Sequence, residues 1–189
     1  MKTTAGTTYP KAIKVATGST GTLWWLWGPL LLLLSIDPLI AVFAGKPPVH
    51  ADFDSWGALV VLPLLAIGLS LLYRRRGITL DRSRLDIVST VYRKDIPLDT
   101  LLLDRARVVS FDEYPDFAPV TKRNGFQLPG FRSGHFRMDD GSKCFCLVTD
   151  NSRVLVLPLR DGTAVLISPE RPRDLLDELR RLAATPPRA

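Results

Sequence analysis

Cys144 and Cys146 are the only thiols in the 189-residue chain, and they stand two apart. On an extended strand that spacing puts both on one face, badly placed to bond each other. A zinc site would need a second pair of thiols or imidazoles close by, and the sequence has none. His135 is the only histidine after residue 50. Ser133, Asp139 and Asp140 stand near it, but alternate residues of one strand do not assemble a nucleophile, a base and an orienting acid. His50 with Asp52 and Asp54 offers metal-binding residue types, in a stretch whose polarity is that of an exposed loop. No phosphate-binding glycine loop, HExxH, GxSxG or dinucleotide fingerprint is present. The residues therefore point away from catalysis and away from a bound cofactor or metal. What they offer instead is charge and aromatic rings. Arg74, Arg75 and Arg76 stand together, with Arg82 and Arg84 close behind and Arg93 and Lys94 following. Further on, Lys122, Arg123 and Arg132 are interleaved with Phe126 and Phe131. Both sets are candidate contacts with an anionic lipid surface or an acidic partner segment.

The elements that position these residues divide the chain in two. Trp56 to Tyr73 contains no charge and runs straight into the three arginines. Its 18 residues would extend about 27 Å as a helix, close to the thickness of a bilayer core. Leu23 to Ala44 is a second apolar run, with Trp24, Trp25 and Trp27 at its start. Together they predict a transmembrane hairpin over 21–76, with spans near 23–44 and 56–73. Lys2, Lys11 and Lys14 before it and Arg74–Arg76 after it place both chain ends in the cytoplasm of an inner-membrane protein. Residues 45–55 form the external loop. Residues 1–20, rich in Thr and Gly, read as a flexible tail. A cleaved signal peptide is the rival to the first span, and Asp37 interrupts its apolar run. Asp37 is also the one ionisable residue inside a predicted span, either a relay group or a group at the outer interface beside the helix-breaking Pro38.

After Arg76 the periodicity changes to that of short strands. Residues 77–80 and 85–89 flank Asp81-Arg-Ser-Arg84 as a hairpin, and 91–96 continues the sheet. Residues 105–111 alternate as a strand, and 112–124 read as a loop. Residues 134–138 and 142–149 form a hairpin around Asp139-Asp140-Gly141, and 153–158 with 164–168 form another around Arg160-Asp161-Gly162. Leu175, Leu176, Leu179 and Leu182 then recur at helical spacing over 169–184. The prediction is seven strands in an antiparallel sandwich or barrel, closed at one end by a C-terminal helix, over 77–184, with 185–189 as a tail. From Arg74 onward 21 Lys and Arg stand against 16 Asp and Glu. That near balance lacks the basic stripe of a nucleic-acid binder.

The stretch Leu128-Pro-Gly-Phe-Arg-Ser-Gly-His-Phe136, followed by Asp140-Gly141, Leu147-Val-Thr-Asp150, Arg153-Val-Leu-Val-Leu-Pro158 and Leu166-Ile-Ser-Pro169, resembles the bacterial PH-like (pleckstrin homology-like) domains. The resemblance covers residues 77–184 and implies bent sheets of seven strands plugged by a C-terminal helix. It also implies a non-enzymatic interaction or scaffolding module, here displayed on the cytoplasmic face of the membrane, with a protein partner or a second copy of the chain as its ligand. The C-terminal helix lacks the tryptophan usual in eukaryotic members. The basic pattern of phosphoinositide binders is incomplete around Arg82 and Arg84, so that ligand is not expected. A function of another class, accessory subunit of a membrane transport or export complex, would use Asp37. Because the first strand starts at Gly77 with no linker, Arg74–Arg76 are expected to press the first hairpin, with Arg82 and Arg84, toward the bilayer.

Overall fold

The computed structural model describes residues 9–17, 24, 27–29, 31–32, 43, 60–61, 63–68, 70–71 and 75–184. The chain divides into two compact units, Ser19–Arg74 and a unit built from Met1–Gly18 with Arg75–Ala189.

The larger unit consists of two sheets and a helix. The first sheet has the order β1-β2-β3-β4, with β1 at Lys11–Ile13, β2 at Arg76–Leu80, β3 at Arg84–Ser89 and β4 at Tyr92–Pro97. Strict alternation drives Ile78, Leu80, Leu85, Ile87 and Ile96 to the inner face, all buried. The second sheet has the order β5-β9-β10-β8-β7-β6. Its strands are β5 (Arg107–Val109), β6 (Thr121–Leu128), β7 (Phe131–Arg137), β8 (Lys143–Val148), β9 (Val154–Pro158) and β10 (Ala164–Ile167).

The three middle strands, KCFCLV, VLVLP and AVLI, are buried almost throughout. Such continuous apolar runs belong to strands covered on both faces. One face carries Val109, Phe136, Cys144, Cys146, Val148, Val154, Val156 and Leu166, with Phe111 and the partly buried Phe117 and Met138 packed against them. The alternating residues Phe145, Leu147, Leu155, Leu157, Val165 and Ile167 are also buried, on the opposite side. The C-terminal helix α1, Pro172–Ala184, packs on β9, β5 and the 3-10 turn Leu98–Thr100, burying Leu175, Leu176 and Leu179.

Three tight turns share one device. Asp140, Asp150 and Asp161 each accept the backbone N–H of the residue two positions on, Ser142, Ser152 and Thr163. The Ser152 and Thr163 hydroxyls donate to the same aspartates. These bonds hold all three carboxyls below the usual range.

Several expectations from the sequence are corrected. The described part of the 1–20 tail is not flexible coil. β1 pairs antiparallel with β2, Ala12 opposite Thr79, and its continuation bonds the second sheet. The second sheet is not wholly antiparallel, because β10 lies between β9 and β8 and runs parallel to β8. The expected loop 112–124 ends in the first residues of β6, and β7 begins at Phe131 rather than residue 134. β6 gives no alternating signal because it is an edge strand exposed over its first half. Its Gly125 is demanded by packing: a Cβ there would stand 2.3 Å from the Ser133 carbonyl oxygen. Among the described residues, nine strands, β2 to β10, stand where about seven were expected, and β1 adds a tenth.

The smaller unit is described at helical residues 60–61, 63–68 and 70–71 and a few others. Ser70 donates to the Ala66 carbonyl and accepts from Trp27 Nε1 at 3.1 Å. Leu64, Leu65 and Leu71 are all more than half exposed. Among the described residues no helix is long and apolar enough to cross a membrane. Most of the two predicted spans, with residues 45–55, lies outside the described residues.

Two outcomes test this packing. Leu179→Ala removes a fully buried side chain under α1 and should cost about 2–5 kcal/mol in a denaturant melt; a loss well under 1 kcal/mol would mean that α1 does not close the core. Residues 9–17 joined by a short Gly/Ser linker to 75–184 should be more stable than 75–184 alone by roughly 2 kcal/mol, the net worth of a few backbone hydrogen bonds. Equal melts would show that the N-terminal segment is not part of the fold.

Candidate interaction surface

Residues 9–17 form a strap across the domain. β1 bonds β2, then Ala16 N–H donates to Ser168 O at 2.9 Å and Thr149 Oγ1 donates to Ala16 O at 2.7 Å. Glu170 N–H donates to Lys14 O. At the other end of the strap Tyr9 O–H donates to Glu178 on α1, and Arg181 donates to the same carboxylate at 2.6 Å. Burial pulls the Glu178 carboxyl upward, but these two donors outweigh it and hold it below its ordinary value. Burial and the same carboxylate raise the Tyr9 phenol.

The strap defines one end of the domain. The chain leaves at Thr17, beside Ser168 and Thr149, and returns at Arg75, whose carbonyl accepts Thr90 N–H at 2.9 Å. That end also holds a buried chain of hydroxyls. Thr90 and Ser89 each lie 2.8 Å from Ser133 Oγ, and Ser89 donates to Cys146 O. The run Thr90 to Ser133 to Ser89 to the carbonyl satisfies every proton and locks the β3–β4 turn to β7. It also holds Thr90 at φ 60°, a conformation that a β-branched residue rarely adopts.

The predicted contact residues do not form one surface. Arg74 and Asp37 lie outside the described residues, as do His50, Asp52 and Asp54. Arg75 is exposed at the strap end. Arg76 is half-buried as the first residue of β2, and Arg82 and Arg84 sit at the other end of that strand. A five-residue strand is roughly 16 Å long. The first hairpin turn therefore stands roughly 16 Å along the strand from the arginines that precede it.

Arg84 is also engaged, donating to Asp95 at 2.8 Å, and Arg93 holds Asp86 through two bonds of 2.9 and 2.7 Å. Phe131 is buried, while Phe126 is half-buried. Arg132 lies half-buried, 5.7 Å over the Phe111 ring and bonded to Asn151. Lys122 and Arg123 are exposed on β6, where the register shifts between Lys122 and Asn124.

The two thiols do share a face, with Sγ atoms 3.8 Å apart in the core. A hydrogen bond from Cys146 lowers the Cys144 thiol, and burial pushes Cys146 well up. Neither is exposed to a substrate. His135 packs edge-on to Tyr92 and Phe145, and burial with the nearby Lys94 lowers its pKa. Among the described residues no group of His, Cys, Asp and Glu is placed to hold a metal ion.

Two sheets and a C-terminal helix packed on them agree with the sequence family that matches residues 76–183, the bacterial PH domain. The chain belongs to the bacterial PH domain family. Neither a curated relative nor a solved structure matches it. The matched region starts at β2, so in this chain the PH domain is supplemented by β1, a strand from before the apolar segment. PH-like domains are in general interaction domains rather than catalysts. The sequence reading missed the strap, the hydroxyl chain and the pairing of Arg137 with Lys143 across β7 and β8. Only the last had a signal, in Arg137 and Lys143 bracketing the turn.

Ser133→Ala should cost roughly 1–3 kcal/mol, because it strands two buried hydroxyls. Chemical denaturation checks it, and an unchanged midpoint would show that the hydroxyl chain does not join the two sheets.

Proposed function

We propose that the protein is a membrane-anchored, non-enzymatic interaction module whose PH domain stands on the cytoplasmic face of the inner membrane. The observation that carries this reading is the pairing of β1 with β2 across the apolar segment. Two strands of one sheet lie on one side of a bilayer, so the chain between them crosses an even number of times. The two apolar runs supply two crossings, and the Arg74–Arg76 cluster sets the side. Large apolar side chains exposed along the described helical residues, Val60, Val61, Leu64, Leu65 and Leu71, support burial in lipid rather than in water.

The ligand of the module is a protein partner. Phosphoinositide is not part of the reading, because Arg84 and Arg93 near the first hairpin are already held by Asp95 and Asp86.

The test is a disulfide across the strap. Ala12→Cys with Thr79→Cys, directly opposite in register, should close on oxidation in intact membranes, while a reporter fused after Ala189 reads as cytoplasmic. An external reporter, or cysteines that never couple, would overturn the arrangement.

A further inference from the structure

The charges on the two sheets are handled in opposite ways. On the outer face of β3 and β4, Asp86 stands directly opposite Asp95. That like-charge pair is neutralised by its diagonal neighbours: Arg93 bonds Asp86 and Arg84 bonds Asp95. On the second sheet Arg137 stands directly opposite Lys143. Their diagonal neighbours within the ladder are His135 and Phe145, which carry no negative charge, and Asp139 and Asp140 stand in the turn beyond. Lys94, on the inward face of β4, lies near enough to His135 to depress its basicity, so it adds to the same positive field.

Around the edge, Lys122 and Arg123 project from the exposed half of β6, and Thr121 pairs with Arg137. Among the described residues ion pairs form at Arg84, Arg93, Arg153, Arg171 and Arg181, and at none of Lys94, Lys122, Arg123, Arg137 and Lys143. The nearest carboxylates, Asp139 and Asp140 in the turn and Asp161 near Lys94, offset part of this field, so three negative charges stand against the five cations.

We propose that this surface, Arg137 and Lys143 with Lys94 behind them and Lys122 and Arg123 on the rim, docks an extended acidic segment of another protein. The proposal rests on the reading of the protein as an interaction module and names the chemistry of its partner. Two cations facing each other across a strand pair destabilise the sheet, and an anion laid between them removes that cost. A second copy of this chain is a poor occupant, because it would bring the same positive edge. Lipid of the anchoring bilayer is also disfavoured. Arg137 and Lys143 lie at the ends of β7 and β8 opposite Ser133 and Val148, away from Thr17 and Arg75, where the apolar segment joins. The β6 edge, hydrogen-bonded only to β7, leaves backbone groups for a strand to pair with, and the shifted register at Arg123 limits that pairing to one part of the edge.

The experiment uses the full chain in nanodiscs of neutral lipid and a labelled peptide of consecutive glutamates as probe. Wild type should bind it with an affinity that falls as salt rises. Arg137→Glu with Lys143→Glu should weaken binding roughly tenfold or more, whereas Arg171→Glu with Arg173→Glu, the same charge change at the start of α1, should alter it less than about twofold. Lys143→Glu alone should raise the thermal midpoint while weakening binding, a combination that a purely structural role for the pair does not give.

Equal weakening by the two double variants would reduce the effect to net charge and overturn the proposal. So would phosphatidylglycerol vesicles or inorganic phosphate displacing the peptide at lower concentration than a second acidic peptide does. A wild type that ignores the peptide yet still cross-links to a protein in native membranes would sink this inference and leave the interaction-module reading standing. A wild type that does neither would sink both.

Discussion

The strand pairing between β1 and β2 is the constraint on which the rest of the molecule depends, because it closes the chain on itself around the apolar segment. The strap contributes little apolar burial. Ala16 is its one buried residue. It is held by backbone bonds to β2, Ser168 and Glu170, by the Thr149 hydroxyl and by Tyr9 on α1. Each such bond is worth about 1 kcal/mol net. Closing a flexible loop of roughly 60 residues costs about 3–4 kcal/mol, which would consume most of that gain. On the proposed reading, a helical hairpin over the apolar segment would remove much of that cost by bringing the strand ends together.

This closure explains the shape of the family match. The PH core beginning at β2 has its own two sheets and helix. β1 is added at the free edge of β2, and its continuation covers the ends of β8 and β10 with Ala16 bonded to Ser168 and Thr149. An edge strand left open is a template for unwanted pairing. Here the edge of β2 is covered by the chain that immediately precedes the apolar segment. The hydroxyl chain through Ser133 then ties the β3–β4 turn to the second sheet at the same end. The ties through Ala16, Thr90 and Ser133 are thus placed near the points where the chain leaves and returns.

What could be read from the sequence was what is local. Ile78 and Leu80 against Leu85 and Ile87 announce their hairpin by alternation, Asp140-Gly-Ser142 and Asp161-Gly-Thr163 announce their turns by side-chain chemistry, and Leu175, Leu176 and Leu179 announce one helix face. β1 was illegible because three residues, Lys-Ala-Ile, carry no periodicity and their partners begin 65 positions later, Ile13 opposite Ile78. β6 was illegible because Thr-Lys-Arg-Asn describes an exposed edge as well as a loop. The parallel placement of β10 beside β8 follows from strand order, and the continuous apolar runs were compatible with either order. The surface charges were visible as residues but not as partners. Nothing in the spacing of Arg93, Asp86, Arg84 and Asp95 distinguishes them from Arg137 and Lys143 until the register is known.

That register separates two uses of charge within one domain. On β3 and β4 the diagonal ion pairs are exposed and worth little in stability. Their effect is to leave a neutral face, and they occupy the arginines that a headgroup would otherwise meet. On β7 and β8 the same geometry, two like charges in direct opposition, forms no ion pair among the described residues. A fold selected for stability alone would place an acid diagonal to Arg137 or Lys143, as it does beside Asp86 and Asp95, for a few tenths of a kcal/mol. On the proposed reading the attachment through Thr17 and Arg75 holds the protein at the membrane, so attraction to lipid would add nothing to retention. Positive charge kept at the opposite ends of β7 and β8 is then available for a ligand that arrives from solution.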